Sequence, residues 1–350
     1  MKTEIVIVDP HRLKNHEKDI KNAAEIIKSG GLVAFPTETV YGLGGDGTNP
    51  SAAKSIYSAK GRPSDNPLII HIANPGDAEK YTYTCDTYYK LANCFMPGPL
   101  TVVMKARDSI PLETRGGLTT VAVRCPSNPI AHRLIELSDR PIAAPSANLS
   151  GSPSPTDAGH VIKDMQGRID MIIDGGSCDI GLESTIVKLE DDGSLILLRP
   201  GKITVDELAC IGPVSLADSV VDKLPEGQVA LSPGMKYRHY APSAPLVLLD
   251  GELDSVIKHI KNENLSKIAI LCYSDDKPVV AEQLPDADIY VLGARDNINE
   301  QARHLFSILR EADENNYDKI YAPLPSKEGV GLALYNRMIR AAAHTVINLR

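Results

Sequence analysis

Gly30-Gly31-Leu32-Val33-Ala34-Phe35-Pro36-Thr37-Glu38-Thr39-Val40-Tyr41-Gly42-Leu43-Gly44, then, one short helix later, Lys60-Gly61-Arg62-Pro63-Ser64-Asp65-Asn66-Pro67-Leu68-Ile69-Ile70-His71-Ile72, is the stretch on which the fold turns. Leu32 to Phe35 is an apolar run long enough for a buried strand, bounded by glycines and a proline. A hydroxyl-rich turn follows, crowded with Gly42, Gly44, Gly45 and Gly47. Glycine lets backbone N–H groups turn toward an anion where a Cβ would block the approach. Lys60 and Arg62 then stand between a helix end and a rigid Pro-Ser-Asp-Asn-Pro loop. Strand, hydroxyl turn, cations and second strand can together hold a phosphate-bearing ligand without a P-loop. The chain has no Gly-x-x-x-x-Gly-Lys-Ser/Thr and no clean Gly-x-Gly-x-x-Gly.

A chain of 350 residues is too long for one ordinary core, so two domains are expected. With 43% hydrophobic, 23% charged and 5% aromatic residues, the composition is that of a soluble globular protein. No apolar stretch reaches the roughly 18 residues of a spanning helix. The first residues lack a signal-peptide core, so a cytoplasmic protein with no membrane contact is expected. Six cysteines without a Cys-x-x-Cys pair argue against a disulfide framework or a zinc site and read as small buried hydrophobes. A formal charge of −8 argues against a general nucleic-acid coat but leaves room for a local basic pocket.

Along the chain, residues 5–8 read as a first strand, Asp19–Ser29 as a helix stopped by Gly30-Gly31, and Asn49-Pro50 as the cap of a helix running through Ala59. Leu68–Ile72 is a second buried strand; His71 within it is either a satisfied core or edge histidine or a ligand. Tyr81–Phe95 reads as a helix, Leu100–Lys105 and Thr119–Arg124 as strands, and Pro129–Leu137 as a helix. Arg124 closes its strand facing either solvent or a site. The Ile142–Pro155 segment sets hydroxyls between prolines, as a plain polar loop or a site-lining one. Asp170–Asp174 and Leu195–Leu198 are further strands, and Ser184-Thr185 sit at the mouth of another. Residues 12–205 thus read as one α/β domain with a twisted, mixed, open sheet. Residues 206–244 have linker composition, yet contain Met235-Lys236-Tyr237-Arg238-His239-Tyr240, a strap across the junction or a lid over a cleft. From 245 onward strands alternate with helices, the pattern of a smaller Rossmann-like parallel α/β domain without its Gly-rich loop.

The polar residues expected at strand ends of the first domain are Thr37, Thr39, Lys60, Arg62, Ser64, Asn66, His71, Thr120, Arg124, Ser146, Asn148, Ser150, Ser154, Ser184 and Arg199. This set is cationic and rich in hydroxyls. Paired acids for glycoside work, a Gly-x-Ser-x-Gly nucleophile elbow and metal-ligand clusters are all missing from the sequence. What remains is a site for a polyanion and a small polar molecule, working by positioning and charge stabilisation, as in phosphoryl and nucleotidyl transfer.

Phe35-Pro-Thr-Glu-Thr-Val-Tyr-Gly-Leu and Lys60-Gly-Arg-Pro-x-x-Asn-Pro-Leu resemble the signature of the YrdC/Sua5 family, the threonylcarbamoyl-AMP synthases. Pro97-Gly-Pro-Leu-Thr, Val121-Ala-Val-Arg-x-Pro, Ala144-Pro-Ser-Ala-Asn-x-Ser-Gly, Ser184-Thr-Ile-Val, Leu198-Arg-Pro-Gly and Ser232-Pro-Gly-Met-Lys-Tyr-x-His-Tyr-Ala-Pro resemble further family motifs, in family order. The resemblance implies a YrdC-like catalytic domain over 1–205, a linker or lid over 206–244 and a C-terminal domain of the Sua5 type over 245–350. It implies a nucleotidyltransferase that converts L-threonine, bicarbonate or CO2, and ATP into threonylcarbamoyl-AMP and diphosphate. The product would pass to a tRNA threonylcarbamoyl-transferase complex that modifies the adenosine beside the anticodon, with room for a weak tRNA contact by this chain.

By the same resemblance, Thr39, His71, Arg124, Ala144 (through its backbone) and Ser184 would bind threonine. Asn66, Thr120, Ser146, Ser154, Arg199, Arg238 and Tyr240 would hold ATP together with Lys60 and Arg62, the expected catalytic pair beside the phosphates. Mg2+ would travel with ATP; no tightly bound cofactor and no metal site of the protein's own are expected. The carbamoyl-adenylating domain of hydrogenase-maturation carbamoyltransferases is the nearest rival, but their zinc-finger and acylphosphatase-like regions have no counterpart here. A double-stranded RNA or tRNA binding module is the rival from another class, and the acidic balance weighs against it.

Overall fold

The structure, a computed structural model, describes residues 2–220, 240–263 and 265–350. The chain forms two compact units, residues 1–150 with 154–237, and residues 151–153 with 238–350. The first unit begins with β1 (Glu4–Ile7), α1 (Glu17–Lys28), β2 (Val33–Phe35), β3 (Gly42–Asp46), α2 (Pro50–Lys60) and β4 (Ile69–His71). It continues with α3 (Asp86–Phe95), β5 (Leu100–Lys105), α4 (Leu112–Arg115), β6 (Thr120–Arg124), α5 (Pro129–Ser138) and β7 (Ile142–Ala143). Then come α6 (Ala158–Met165), β8 (Met171–Asp174), β9 (Thr185–Leu189), β10 (Leu195–Arg199), α7 (Val205–Ala209) and β11 (Val214–Leu216).

These strands make one mixed sheet of 11 in the order β1-β8-β2-β3-β7-β4-β6-β5-β9-β10-β11. Local chemistry sets the ends of the helices. Asn49 Oδ1 accepts the N–H groups of Ser51 and Ala52 at the start of α2, Pro50 follows at the first helical position, and Gly61 closes the helix in the left-handed region at φ 63°. Ile20, Ala23, Ala24 and Ile27 of α1 recur at helical spacing and pack with Ile130, Ala131 and Leu134 of α5 over Val33, Phe35, Met171 and Ile173 of the sheet. Each large aliphatic buried there contributes about 1.5–3 kcal/mol. Elsewhere on the sheet Ile69, Val103, Ala122, Ile186 and Leu198 form a separate apolar cluster, drawn from β4, β5, β6, β9 and β10.

The structure corrects three sequence expectations. The glycine-rich turn is a strand: Val33 pairs with Gly44 and Phe35 with Gly42, while Gly45 pairs with Ala143, so these residues belong to the sheet ladder rather than to an anion cradle. The glycines serve close packing instead. A Cβ on Gly44 would lie 2.6 Å from Ile142 Cγ2 and 2.7 Å from Phe35 Cε1. The helix expected from Tyr81 starts only at Asp86, because Thr82 forms an isolated bridge to Ala106 and its side chain donates to the Ala78 carbonyl at 2.9 Å. Cys125, Cys178 and Cys272 are buried as expected, but Cys85, Cys94 and Cys210 are exposed; all six are free.

The second unit holds β12 (Leu246–Asp250), α8 (Leu253–Asn262), β13 (Ile268–Tyr273), α9 (Lys277–Gln283) and β14 (Asp288–Gly293). It ends with α10 (Ile298–Asp313), β15 (Lys319–Pro323), α11 (Gly331–Ala341) and β16 (Val346–Asn348). Its five strands run in the order β14-β13-β15-β12-β16, and every pairing is parallel, as strand–helix alternation requires. The closing helix stops at Ala341, and the chain returns as β16 beside β12. Among the described residues no helix is long and apolar enough to cross a membrane.

Candidate active site

Register assembles the site. His71 is the partner of Arg124 across β4 and β6, and Thr101 is the partner of Arg124 across β5 and β6. Partnered residues put their side chains on one face of a sheet. Thr101 Oγ1 lies 2.8 Å from Ser184 Oγ at the entry to β9. Arg199, at the end of β10, donates from Nε to the Ser184 carbonyl and from Nη2 to Ser184 Oγ, both at 3.1 Å. His71, Arg124, Thr101, Ser184 and Arg199 thus form a polar row across five adjacent strands.

The β2–β3 turn joins this row. Glu38 Oε1 accepts from Arg124 Nη2 at 2.7 Å, with both side chains nearly buried. The Glu38 and Thr39 carbonyls accept the N–H groups of Ile180 and Gly181, which ties the turn to the loop ahead of Ser184. Thr37 donates its hydroxyl proton to the Val40 carbonyl at 2.6 Å and lies 2.8 Å from Thr39 Oγ1. Thr39 is therefore the donor of that second bond, and its oxygen keeps lone pairs for an incoming donor. Arg124 Nε is buried without a partner. Such a group is costly when left dry.

Burial and the neighbouring Arg124 charge push the pKa of His71 down to about 3, so its ring is neutral at pH 7. His71 Nδ1 lies 3.3 Å from the Ile142 carbonyl. A carbonyl only accepts, so Nδ1 carries the proton and Nε2 is left as an acceptor. Ala144 spends its N–H on the Ile69 carbonyl, so its own carbonyl is the backbone group it can offer.

A second cluster surrounds Lys60, which is buried at the end of α2. Its ammonium donates to the Ser146 carbonyl, to the Asn148 carbonyl at 2.6 Å and to Asn148 Oδ1 at 3.4 Å. Ser146 Oγ donates to Asn148 Oδ1 at 2.5 Å, and Ser146 also bridges to Gly42 of β3. Lys60 therefore braces the Ser146–Asn148 loop while placing a positive charge beneath it. Arg62 closes the loop after α2 on itself, donating to the carbonyls of Asn66 at 3.2 Å and Pro67 at 3.1 Å. Asn66 is buried, and its Oδ1 has no partner.

Not all the expected residues meet at one point. β4 and β6 are parallel, so Asn66 and Thr120 lie toward their starting ends and His71 and Arg124 at their finishing ends. Thr120 and Arg124 share a face but stand about 13 Å apart at the rise of an extended strand. Ala122 of the apolar cluster lies between them on that face. Ser154 is buried and donates to Glu183 Oε1 at 2.5 Å, one residue before Ser184. Tyr240 lies in the second unit, its ring 5.2 Å from that of Phe306. Arg238 and the remaining lid residues lie outside the described residues. Among the described residues there is no group of three or more His, Cys, Asp or Glu placed to hold a metal ion.

Sequence reasoning passed over Glu38, Thr101 and Glu183 as site residues. Thr101 had a local signal, a lone hydroxyl at the start of the apolar run of β5, and it is fully buried. Glu38 had another, an acid among hydroxyls in a turn next to a strand.

The fold is that of a two-unit α/β protein whose larger sheet carries this polar row at its strand ends. A family model described as "Telomere recombination" (Sua5, YciO and YrdC) matches residues 25–201, and one described as "Threonylcarbamoyl-AMP synthase, C-terminal domain" matches residues 203–343. The chain belongs to the Sua5/YciO/YrdC family. It is 44% identical to the threonylcarbamoyl-AMP synthase of Pyrococcus abyssi, across 97% of this chain and 98% of the relative. With the Bacillus subtilis threonylcarbamoyl-AMP synthase it shares 42% identity, across 99% and 100%. A crystal structure of P. abyssi Sua5 complexed with L-threonine superposes with a TM-score of 0.87 at 41% identity and covers both chains completely. Escherichia coli YciO, at 24% identity and a TM-score of 0.50 over 57% of this chain, shares the fold alone.

Proposed function

We propose that this protein is a threonylcarbamoyl-AMP synthase, a nucleotidyltransferase joining L-threonine, bicarbonate or CO2, and ATP. The reading rests above all on the row from His71 to Arg199, which offers the Arg124 guanidinium, one neutral imidazole and several hydroxyls within a single buried patch. Arg124 takes the threonine carboxylate on its planar edge. His71 Nε2, Thr39 Oγ1 and the Ala144 carbonyl accept from the ammonium and hydroxyl, and Ser184, steadied by Arg199 and Thr101, closes the other side. ATP lies along the same face toward Thr120 and Asn66, near Ser154, with Arg62, Arg199 and the Lys60-braced Ser146 loop around its phosphates. Mg2+ arrives with ATP.

The threonine ammonium gives up one proton to solvent; the amine so formed adds to the carbon of CO2 and loses a second proton, giving a carbamate. A carbamate oxygen then attacks the α-phosphorus as the bond to the bridging oxygen breaks, and diphosphate leaves. The protein needs no covalent step; it orients the two substrates, balances charge and excludes water from a hydrolysable product. The product is handed to the transferase complex that modifies tRNA. The test is diphosphate release from ATP with and without threonine and bicarbonate, with threonylcarbamoyl-AMP identified by mass. Release indifferent to threonine would reject the proposal.

A further inference from the structure

Glu38 is held from three directions. Its Oε1 accepts from Arg124 Nη2 at 2.7 Å, its Oε2 accepts the Ser127 N–H at 3.2 Å, and its main-chain carbonyl accepts the Ile180 N–H at 2.9 Å. Those contacts anchor it to the end of β6, to the loop after β6 and to the loop that leads into β9. Glu38 is 5% exposed, so the pair works with little water to weaken it. A long arginine side chain keeps its aim only while something fixes its fork. Here one nitrogen is taken by Glu38, while Nε stays buried without a partner.

We propose that Glu38 is a positioning residue: it fixes the Arg124 guanidinium toward the amino-acid carboxylate, and its charge offsets that of Arg124 so that a zwitterion is favoured over a bare anion. This rests on the reading that Arg124 binds threonine through its carboxylate. Glu38 itself acts through Arg124 and touches no reacting atom. Losing its charge-assisted bond frees Arg124 to swing, which weakens threonine binding while ATP binding stays as it was.

The experiment measures threonine-dependent diphosphate release for the full chain and for Glu38→Gln, Arg124→Lys, the double variant and Ser127→Pro. Ser127 is exposed, and its proline variant removes the N–H that steadies Glu38 while leaving both charged side chains intact. Glu38→Gln is expected to raise KM for threonine about ten- to a hundredfold, with KM for ATP and kcat within about twofold. Ser127→Pro should raise KM for threonine a few-fold, and it carries the test should Glu38→Gln fail to fold. The double variant should match Arg124→Lys alone, since two residues acting through one contact do not add. An unchanged KM for threonine in Glu38→Gln or Ser127→Pro, equal effects on both substrates, or additive losses would overturn the role of Glu38. An unchanged KM for threonine in Arg124→Lys would instead remove the carboxylate reading, and Glu38's role with it.

Discussion

Protonation of His71 should set how this protein tolerates acid. A free histidine takes up its proton near pH 6.5; buried in β4 beside Arg124, His71 does so only near pH 3. Between those values the unfolded chain holds more protons than the native one, so stability rises with pH and falls as the solution is acidified. Integrating from pH 7 to pH 5 gives a loss of about 2 kcal/mol from this one ring. His71→Gln removes the titrating group but keeps a side chain able to reach the Ile142 carbonyl. Urea unfolding followed by circular dichroism at pH 7, 6 and 5 would compare the two proteins. The stability gap between them should shift by about 2 kcal/mol in favour of the variant on going from pH 7 to pH 5. Nuclear magnetic resonance gives the direct check, because the variant identifies the His71 ring signal. A ring that titrates with a midpoint between about 6 and 7, or identical pH slopes for the two proteins, would refute the reasoning.

Three further outcomes follow from contacts already described. Gly44→Ala drives a methyl group against Ile142 and Phe35 and should cost about 1–3 kcal/mol, read as a lower urea midpoint, with substrate KM values unchanged in the folded fraction. Lys60→Met leaves the Ser146 and Asn148 carbonyls without their ammonium donor; it should cost about 2–5 kcal/mol and abolish ATP turnover. Ser184→Ala removes the hydroxyl shared by Thr101 and Arg199 and should raise KM for threonine about five- to tenfold in the diphosphate assay, with less effect on KM for ATP.

Much of the fold could be read directly because side-chain spacing reports which face is buried. Ile20, Ala23, Ala24 and Ile27 announced α1, and the apolar runs of β2, β5 and β10 were legible to within a residue or two. β3 was not, because a strand of glycines has no side chains to alternate; only its pairing with β2 and β7 reveals it. β11 and β16 were missed for a related reason. Each is a short edge strand of three residues, whose identity comes from the neighbour it pairs with. At the site, Arg124, Ser184 and Arg199 stood out as polar residues at strand ends, but nothing in their spacing shows that they are neighbours. That follows from register among β6, β5, β9 and β10, which pairs residues far apart in the chain. Glu38 stayed hidden because its partner lies 86 positions away.

A polar row whose members come one by one from five neighbouring strands has no local precursor. During synthesis the growing polypeptide must extend beyond Arg199 before Ser184 gains its guanidinium brace, so a nascent chain halted earlier would carry most of the recognisable motifs and yet capture no amino acid. Once the row is complete, a bound amino acid would stitch those strands together from above, and slowed amide exchange should spread along all five rather than stay beside the ligand.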